Sequence, residues 1–420
     1  MRWSSSIVLA ALCLMGPLSA SAQDDDQSDM RLNPEIEVTA PSAADTDYSR
    51  YPFLKLRHNT VHLNGDDWTE LGAKYRAALA GHGSFTTVYL GDSHIQADFG
   101  GNVLRHRLAG NRSRGRGVMI PFKAAGTNEP NDYSVALSQP YVSSKLMRTP
   151  WSTEMPFTGI GLQAQHRRHS LSFTTPEAGR HIRLYTRGTS PEVLAVEADG
   201  TRVPFTALRD ADGVTCVTVD EAASEFRLSL GSDNSTVYGG VEVSGDSIGI
   251  VTHSIGNNGA TYNAYSMAER FGSELAALHP DLVIIALGTN EAFGRTTTEE
   301  LSTSIDNLLE SIRSYSPEAK VLLIGPTECY RRRYIRRRGR RRRSTLVVNG
   351  RCATMARAIR LHAEELGIPY YNHYALAGSA QAMRKAKVLG ADGVHFTAAG
   401  YRLWGDLLGD ALLDKLIDRQ

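Results

Sequence analysis

A serine hydroxyl becomes a useful nucleophile at neutral pH only beside a base that takes its proton. One stretch of this chain is shaped to present such a serine. In Thr86-Thr87-Val88-Tyr89-Leu90-Gly91-Asp92-Ser93-His94-Ile95-Gln96-Ala97-Asp98-Phe99, a β-rich apolar run stops at a glycine, and a polar triplet leads into an amphipathic segment. That order predicts a strand, a tight turn and the N-terminus of a helix. In an open α/β sheet, ligands bind outside the carboxyl ends of the strands. Ser93 would stand there, its amide near the positive end of the helix. A plain structural role fits the same residues, with Asp92 or Ser93 doing no more than capping the helix. A base with its orienting acid occurs far downstream, in Asp392-Gly393-Val394-His395. His395 would take the Ser93 proton and return it to a leaving alcohol. Asp392 is close enough in sequence to hold the second imidazole nitrogen and stabilise the imidazolium. Alone, Asp-x-x-His is a common turn aspartate with a surface histidine. Beside Ser93 and Asn290 it points to acyl transfer.

The elements that must position these residues follow a mixed pattern. Trp68 to Ala80 has helical spacing, and after Ser93 the apolar spacing of Ile95, Phe99, Val103, Leu104 and Leu108 predicts a helix. A glycine- and proline-punctuated passage runs from Gly115-Arg116-Gly117 to Pro130. From 133 to 245 the pattern becomes short alternating runs separated by turn signals, which predicts an inserted all-β sandwich. Strands at 247–253, 281–287, 320–325 and 369–372 then alternate with helices at 264–278, 297–314, 349–366 and 398–417. Such alternation implies a parallel sheet with right-handed crossovers. The first α/β part is thus expected over 51–132 and the second over 246–420.

The 420 residues allow two substantial cores, and 41% hydrophobic with 22% charged residues is an ordinary globular balance. Residues 1–22 read as an export signal: Arg2, the short apolar run Ile7 to Leu18, and Ala20-Ser21-Ala22 before Gln23. The apolar run is shorter than the roughly 20 residues a membrane span needs. Residues 23–50 are expected to be a disordered leader, and the mature protein to be periplasmic or secreted without a membrane anchor. The net charge of +1 hides ten arginines between Arg331 and Arg343; the remainder has 36 basic against 45 acidic residues, or −9. That is a local basic patch on a mildly acidic protein, which argues against a general nucleic-acid binder. Cys216, Cys329 and Cys352 show no metal-ligand spacing, and no metal or cofactor is expected. Cys216 reads as a buried small residue. Cys329 and Cys352 could close the arginine-rich loop as a disulfide or remain two thiols.

Four blocks line up in order: Gly91-Asp92-Ser93-His94, Gly256-Asn257-Asn258-Gly259-Ala260-Thr261, Gly288-Thr289-Asn290-Glu291 and Asp392-Gly393-Val394-His395. Together they resemble the SGNH branch of the GDSL hydrolases, with Ser93, Gly259, Asn290 and His395 at the four name-giving positions. The blocks around Ser93 and Gly259, with the passage from Gly115 to Thr127-Asn128-Glu129-Pro130, look like periplasmic peptidoglycan O-acetylesterases. Those enzymes carry a carbohydrate-binding-like β-sandwich inserted between the first two blocks and share His94 where many members have leucine. The arginine run departs from the common pattern. The resemblance implies a flavodoxin-like three-layer α/β/α parallel sheet. It also implies an oxyanion hole formed by the Ser93 amide, the Gly259 amide and the Asn290 side chain. Removing one such donor typically costs roughly 2.7–4 kcal/mol in the barrier.

The expected activity is a metal-independent serine esterase that removes O-acetyl groups from peptidoglycan or a related glycan, through an acetyl-enzyme on Ser93. Rivals are an acetyltransferase, an esterase for another acetylated polysaccharide, and a non-catalytic glycan-binding protein. Arg331, Arg332 and Arg333 open the candidate substrate-binding loop, either capturing an anionic polymer or merely solvated. Asp92 is expected to shape the turn, Gln96 and Asp98 to order the nucleophile helix, and His253, His279 and His373 to be structural or surface histidines. The oligomeric state is not legible.

Overall fold

Two strand patterns in the sequence become two sheets. A computed structural model describes residues 46–245, 248–335 and 343–417, all within the unit Ala40–Gln420. The export signal, the leader up to 45, and arginine-run residues 336–342 lie outside the described residues.

In chain order, β1 (Val61–His62) and α1 (Thr69–Leu79) precede β2 (Ser84–Gly91), α2 (Ser93–Gln96) and α3 (Phe99–Ala109). The inserted strands are β3 (Ser134–Leu137), β4 (Tyr141–Lys145), β5 (Ile160–Ala164), β6 (Arg168–Arg187), β7 (Glu192–Ala198), β8 (Thr201–Val203), β9 (Phe205–Arg209), β10 (Thr215–Gly231) and β11 (Val237–Ser244). Alternation resumes with β12 (Gly249–Gly256), α4 (Tyr262–Ser266), α5 (Phe271–Leu275), β13 (Leu282–Ala286), α6 (Thr289–Phe293), α7 (Thr298–Arg313) and β14 (Lys320–Ile324). The chain continues through β15 (Tyr330–Ile335), β16 (Arg343–Val348), α8 (Arg351–Glu365), β17 (Tyr370–Tyr371), α9 (His373–Ala377), α10 (Ala380–Lys385) and α11 (Ala398–Leu416).

The central sheet has the order β1-β17-β14-β13-β2-β12, parallel except for β1 at the edge. Taking the parallel strands alone, this is the flavodoxin-like order 2-1-3-4-5, whose switch point lies between the first and third strands. Here those are β2 and β13. The strands are apolar on both faces because both are covered. In β13, Val283 and Ile285 join one core with α7 and α8, whereas Leu282 and Ile284 join another with α1, α3 and α11. Ile284 is fully buried, and truncating such a side chain to alanine costs about 2–5 kcal/mol.

The inserted strands form one continuous antiparallel sheet rather than two separate ones. The long strands β6 and β10 run through both of its halves, and their register shifts between Thr218 and Glu225. Beyond the shift, β10 exchanges its neighbour β9 for β7, while β6 pairs with β11 at one end and β3 at the other. A bulge bends a strand and lets it serve two layers. Apolar residues of both halves, such as Phe226 and Val217, share one core.

Several expectations shift locally. Residues 48–50, assigned to the leader, form a 3-10 turn, and Tyr48 donates to Asp410 of α11. The helix expected after Ser93 breaks into α2 and α3 at Asp98, whose φ of 57° is left-handed. Aspartate tolerates that conformation better than most residues. The Asp98 carboxylate is also held by Arg105 and Arg116, each at 2.5 Å. The helix expected over 264–278 is broken as well. The Tyr262 amide of α4 is drawn to Glu291, whereas α5 hydrogen-bonds α7 through Gly272 and Ser311. Cys216 is half-buried, near Asp210, rather than a core residue. The described ends of the arginine run are paired antiparallel strands, Arg331–Arg333 in β15 and Arg343 in β16, not a plain loop.

Candidate active site

The turn after β2 settles the division of labour between Asp92 and Ser93. Asp92 is the cap: its Oδ1 accepts from the His94 amide at 2.9 Å. The Ser93 hydroxyl is thereby left for His395, whose Nε2 lies 2.9 Å from Oγ. His395 Nδ1 lies 2.6 Å from Asp392 Oδ2, a short charge-assisted contact. Asp392 Oδ1 accepts from the amides of Val394 and His395 at 2.9 and 3.0 Å, which locks acid and base on one loop. Partial burial works against the Asp392 charge, but the hydrogen bond and charge of His395 and these amides hold its carboxyl below the usual range. This pattern places a proton on Nδ1 and leaves Nε2 to accept from Ser93. The side chains of His395 and Asp392 are 17% and 26% exposed, so a substrate and a water molecule can reach them.

His94 packs against the His395 ring, centroids 5.3 Å apart, and its Nδ1 meets the Tyr401 hydroxyl at 3.1 Å. Burial, then the neighbouring His395, push the His94 imidazole down to about 3, so it stays neutral. Beneath it, a cavity of about 60 Å³ reaches between Asp92, Thr289, His373 and Trp404. His373 packs on Trp404 and is likewise pushed down to about 3 by burial.

The three residues expected to form an oxyanion hole follow the adjacent strands β2, β12 and β13. Gly259 has φ of 80°, which favours glycine, and a side chain there would approach Met147 of the insert at 3.7 Å. Among the described residues, the amides of Ser93 and Gly259 donate to no protein acceptor. The Asn290 amide donates to Asp92 Oδ2 at 3.0 Å and to the Ala260 carbonyl at 2.9 Å, so both of its hydrogens are engaged. Asp92 is buried, and burial pushes its carboxyl up to about 6. Glu291, also buried, accepts from the Tyr262 amide at 2.9 Å and is pushed up by burial to about 7.

Sequence reasoning missed the brace of the Gly259 loop. Gln96 Oε1 accepts from the Asn258 amide at 2.7 Å, and Gln96 Nε2 donates to Thr127 Oγ1, the Asn128 carbonyl and Asn128 Oδ1 at 3.0, 2.7 and 2.9 Å. Asn258 Nδ2 donates to the same Asn128 Oδ1 at 2.7 Å. The only signal was polar clustering in Thr127-Asn128, which a turn explains as well. Asn257 donates to the Thr158 carbonyl of the insert and to the Tyr265 hydroxyl, both at 3.0 Å; that hydroxyl donates to the Gly91 carbonyl at 2.7 Å.

Other expected residues lie elsewhere. His253 is buried in β12, accepting from the Val118 amide at 3.0 Å, and is pushed down to about 4 by burial. His279 is exposed beside Asp212. Arg331, Arg332 and Arg333 are exposed on β15, whose first residue, Tyr330, donates from its amide to Gly393 of the acid–base loop at 2.7 Å. Among the described residues, no group of histidine, cysteine and carboxylate side chains is placed to hold a metal, and no helix is long and apolar enough to cross a membrane.

The sequence model of the GDSL-like Lipase/Acylhydrolase family matches residues 241–403. A solved structure described as a peptidoglycan O-acetylesterase in action superposes with a TM-score of 0.63 at 21% identity, covering 85% of this chain and 99% of that one. A lipase/acylhydrolase from Enterococcus faecalis aligns over 39% of this chain and 76% of its own, at 22% identity and a TM-score of 0.28. No curated protein matches the chain. The expected resemblance to SGNH/GDSL hydrolases is borne out: the fold is an SGNH-type α/β unit carrying a separate antiparallel sheet.

Proposed function

We propose that this protein is a serine esterase that removes O-acetyl groups from peptidoglycan or a related cell-wall glycan. The single observation carrying it is the relay Ser93–His395–Asp392, at 2.9 and 2.6 Å, at the switch point of the parallel sheet. His395 Nε2 takes the hydroxyl proton as Ser93 Oγ attacks the ester carbonyl. The oxyanion is met by the Ser93 and Gly259 amides and by Asn290 Nδ2, which turns toward it from its present acceptors. The imidazolium, steadied by Asp392, gives its proton to the departing sugar oxygen and leaves an acetyl-enzyme. Water, activated by the same imidazole, releases acetate and restores Ser93.

The glycan assignment is supported by the fold likeness to a peptidoglycan O-acetylesterase over nearly the whole of that chain. Export by residues 1–22 would place the enzyme with that substrate, in the periplasm or outside the cell. We assign 51–132 and 246–420 to the hydrolase unit and 133–245 to a module that helps hold the polymer. The exposed Arg331, Arg332 and Arg333 are suited to carboxylates of the polymer. Their joint replacement by glutamine should weaken hydrolysis of the polymer while sparing a small acetyl ester. The assignment is tested by acetate release from O-acetylated against base-treated peptidoglycan. Release from the first alone is expected; activity on small acetyl esters without release from either polymer would leave an esterase with another substrate.

A further inference from the structure

We propose that Cys329 and Cys352 form a disulfide that joins the two ends of the arginine hairpin and thereby steadies its contact with the loop carrying Asp392 and His395. The two sulfurs are 3.3 Å apart, and the residues are 2% and 0% exposed. They flank the hairpin: Cys329 directly precedes β15, and Cys352 lies in the first turn of α8 after β16. The backbones are fixed around the pair, with the Asn349 amide donating to the Cys329 carbonyl at 2.8 Å and the Cys352 amide to the Asn349 carbonyl at 3.0 Å. Bond formation needs the sulfurs to close from 3.3 Å to about 2.05 Å. One residue beyond Cys329, the Tyr330 amide donates to Gly393 between Asp392 and His395. The bond would close a loop spanning 23 positions, and such closure restricts the unfolded chain.

The step is a thiol–disulfide exchange with a disulfide donor, either a small-molecule disulfide or a donor oxidoreductase. One cysteine thiolate attacks the donor disulfide and expels a donor thiolate, giving a mixed disulfide. The second cysteine then displaces the other donor thiol and forms the Sγ–Sγ bond. The protein loses two protons and two electrons, and the donor is reduced to two thiols. Because the sulfurs are buried, exchange belongs to folding, after which reductants have little access. Export would supply the oxidising surroundings.

The test refolds the full chain with oxidised glutathione, alkylates it in denaturant without reductant, and maps its peptides by mass. The peptides holding Cys329 and Cys352 should be joined and lighter by the two lost hydrogens, with Cys13 and Cys216 alkylated. Oxidised protein should melt at a higher temperature than reduced protein, and Cys352→Ser should remove that difference. Hydrogen exchange at the Tyr330 amide should be slower when oxidised. Alkylation of both cysteines, or a cross-link of either to Cys13 or Cys216, overturns the pair. Equal exchange at Tyr330 in both states overturns the tie to the acid–base loop.

Discussion

Ser93 differs from the chain's other serines by its neighbours, and the consequences can be drawn residue by residue. Asp392→Asn would offer the His395 Nδ1–H an amide that can donate as well as accept, favouring the wrong tautomer. It should lower kcat on an acetyl ester by on the order of 10⁴-fold with the fold intact by circular dichroism. Glu291 carries a pH signature. Its carboxyl rises from 4.5 in the unfolded chain to about 7 in the fold, so the folded state prefers the proton. The stability it contributes is full below pH 4.5 and is lost as pH rises through about 7. Glu291→Gln keeps an acceptor for the Tyr262 amide and removes the charge. Its urea-unfolding stability relative to the parent should therefore climb across that window, by at most about 1.4 kcal/mol per pH unit. The adjacency of Ser93, His395 and Asp392 was legible because a serine, a histidine and a carboxylate suited to acyl transfer are chemically rare in combination. Gln96 was not, since its partners Thr127 and Asn258 lie 31 and 162 positions away and only the fold brings them together.

Among the elements, long periodic helices and buried strands could be read almost to their ends: α7 spans Thr298–Arg313 and carries a full capping box of Thr297 and Glu300. Periodicity failed where a tertiary contact overrode it, as at Asp98, whose two arginines hold a break between α2 and α3. That break leaves α2 a short platform, with Ser93 at its start and Gln96 at its end. Gln96→Ala would free the Asn258 amide and let the Gly259 donor drift. A misplacement of about 1 Å costs up to 10²-fold. The variant should lose roughly 10- to 10²-fold in kcat on a small acetyl ester with KM little changed. A loss confined to KM would mean that Gln96 serves binding instead.

At the scale of the whole molecule, the inserted sheet is joined to the parallel-sheet unit at the Gly259 loop, through Thr158 to Asn257 and Met147 beside Gly259. Strand periodicity replaces helix periodicity over 133–245, which is the ground in the sequence for expecting an insert there. The sequence could not show these contacts, which depend on how the loops return to the central sheet. Gly159→Ala tests the join, since φ there is 78° and a Cβ would meet the Asn257 amide nitrogen at 2.3 Å. The variant should lose about 1–3 kcal/mol in urea unfolding and a measurable share of kcat. A merely tethered module would leave kcat unchanged.

The most direct measurement of the central claim, that Ser93 is an activated nucleophile, is reaction of the intact protein with a fluorophosphonate, followed by peptide mapping. A single adduct on Ser93 is expected, lost in Ser93→Ala and strongly slowed in His395→Ala. No adduct, or an adduct on another serine that persists in Ser93→Ala, would contradict it.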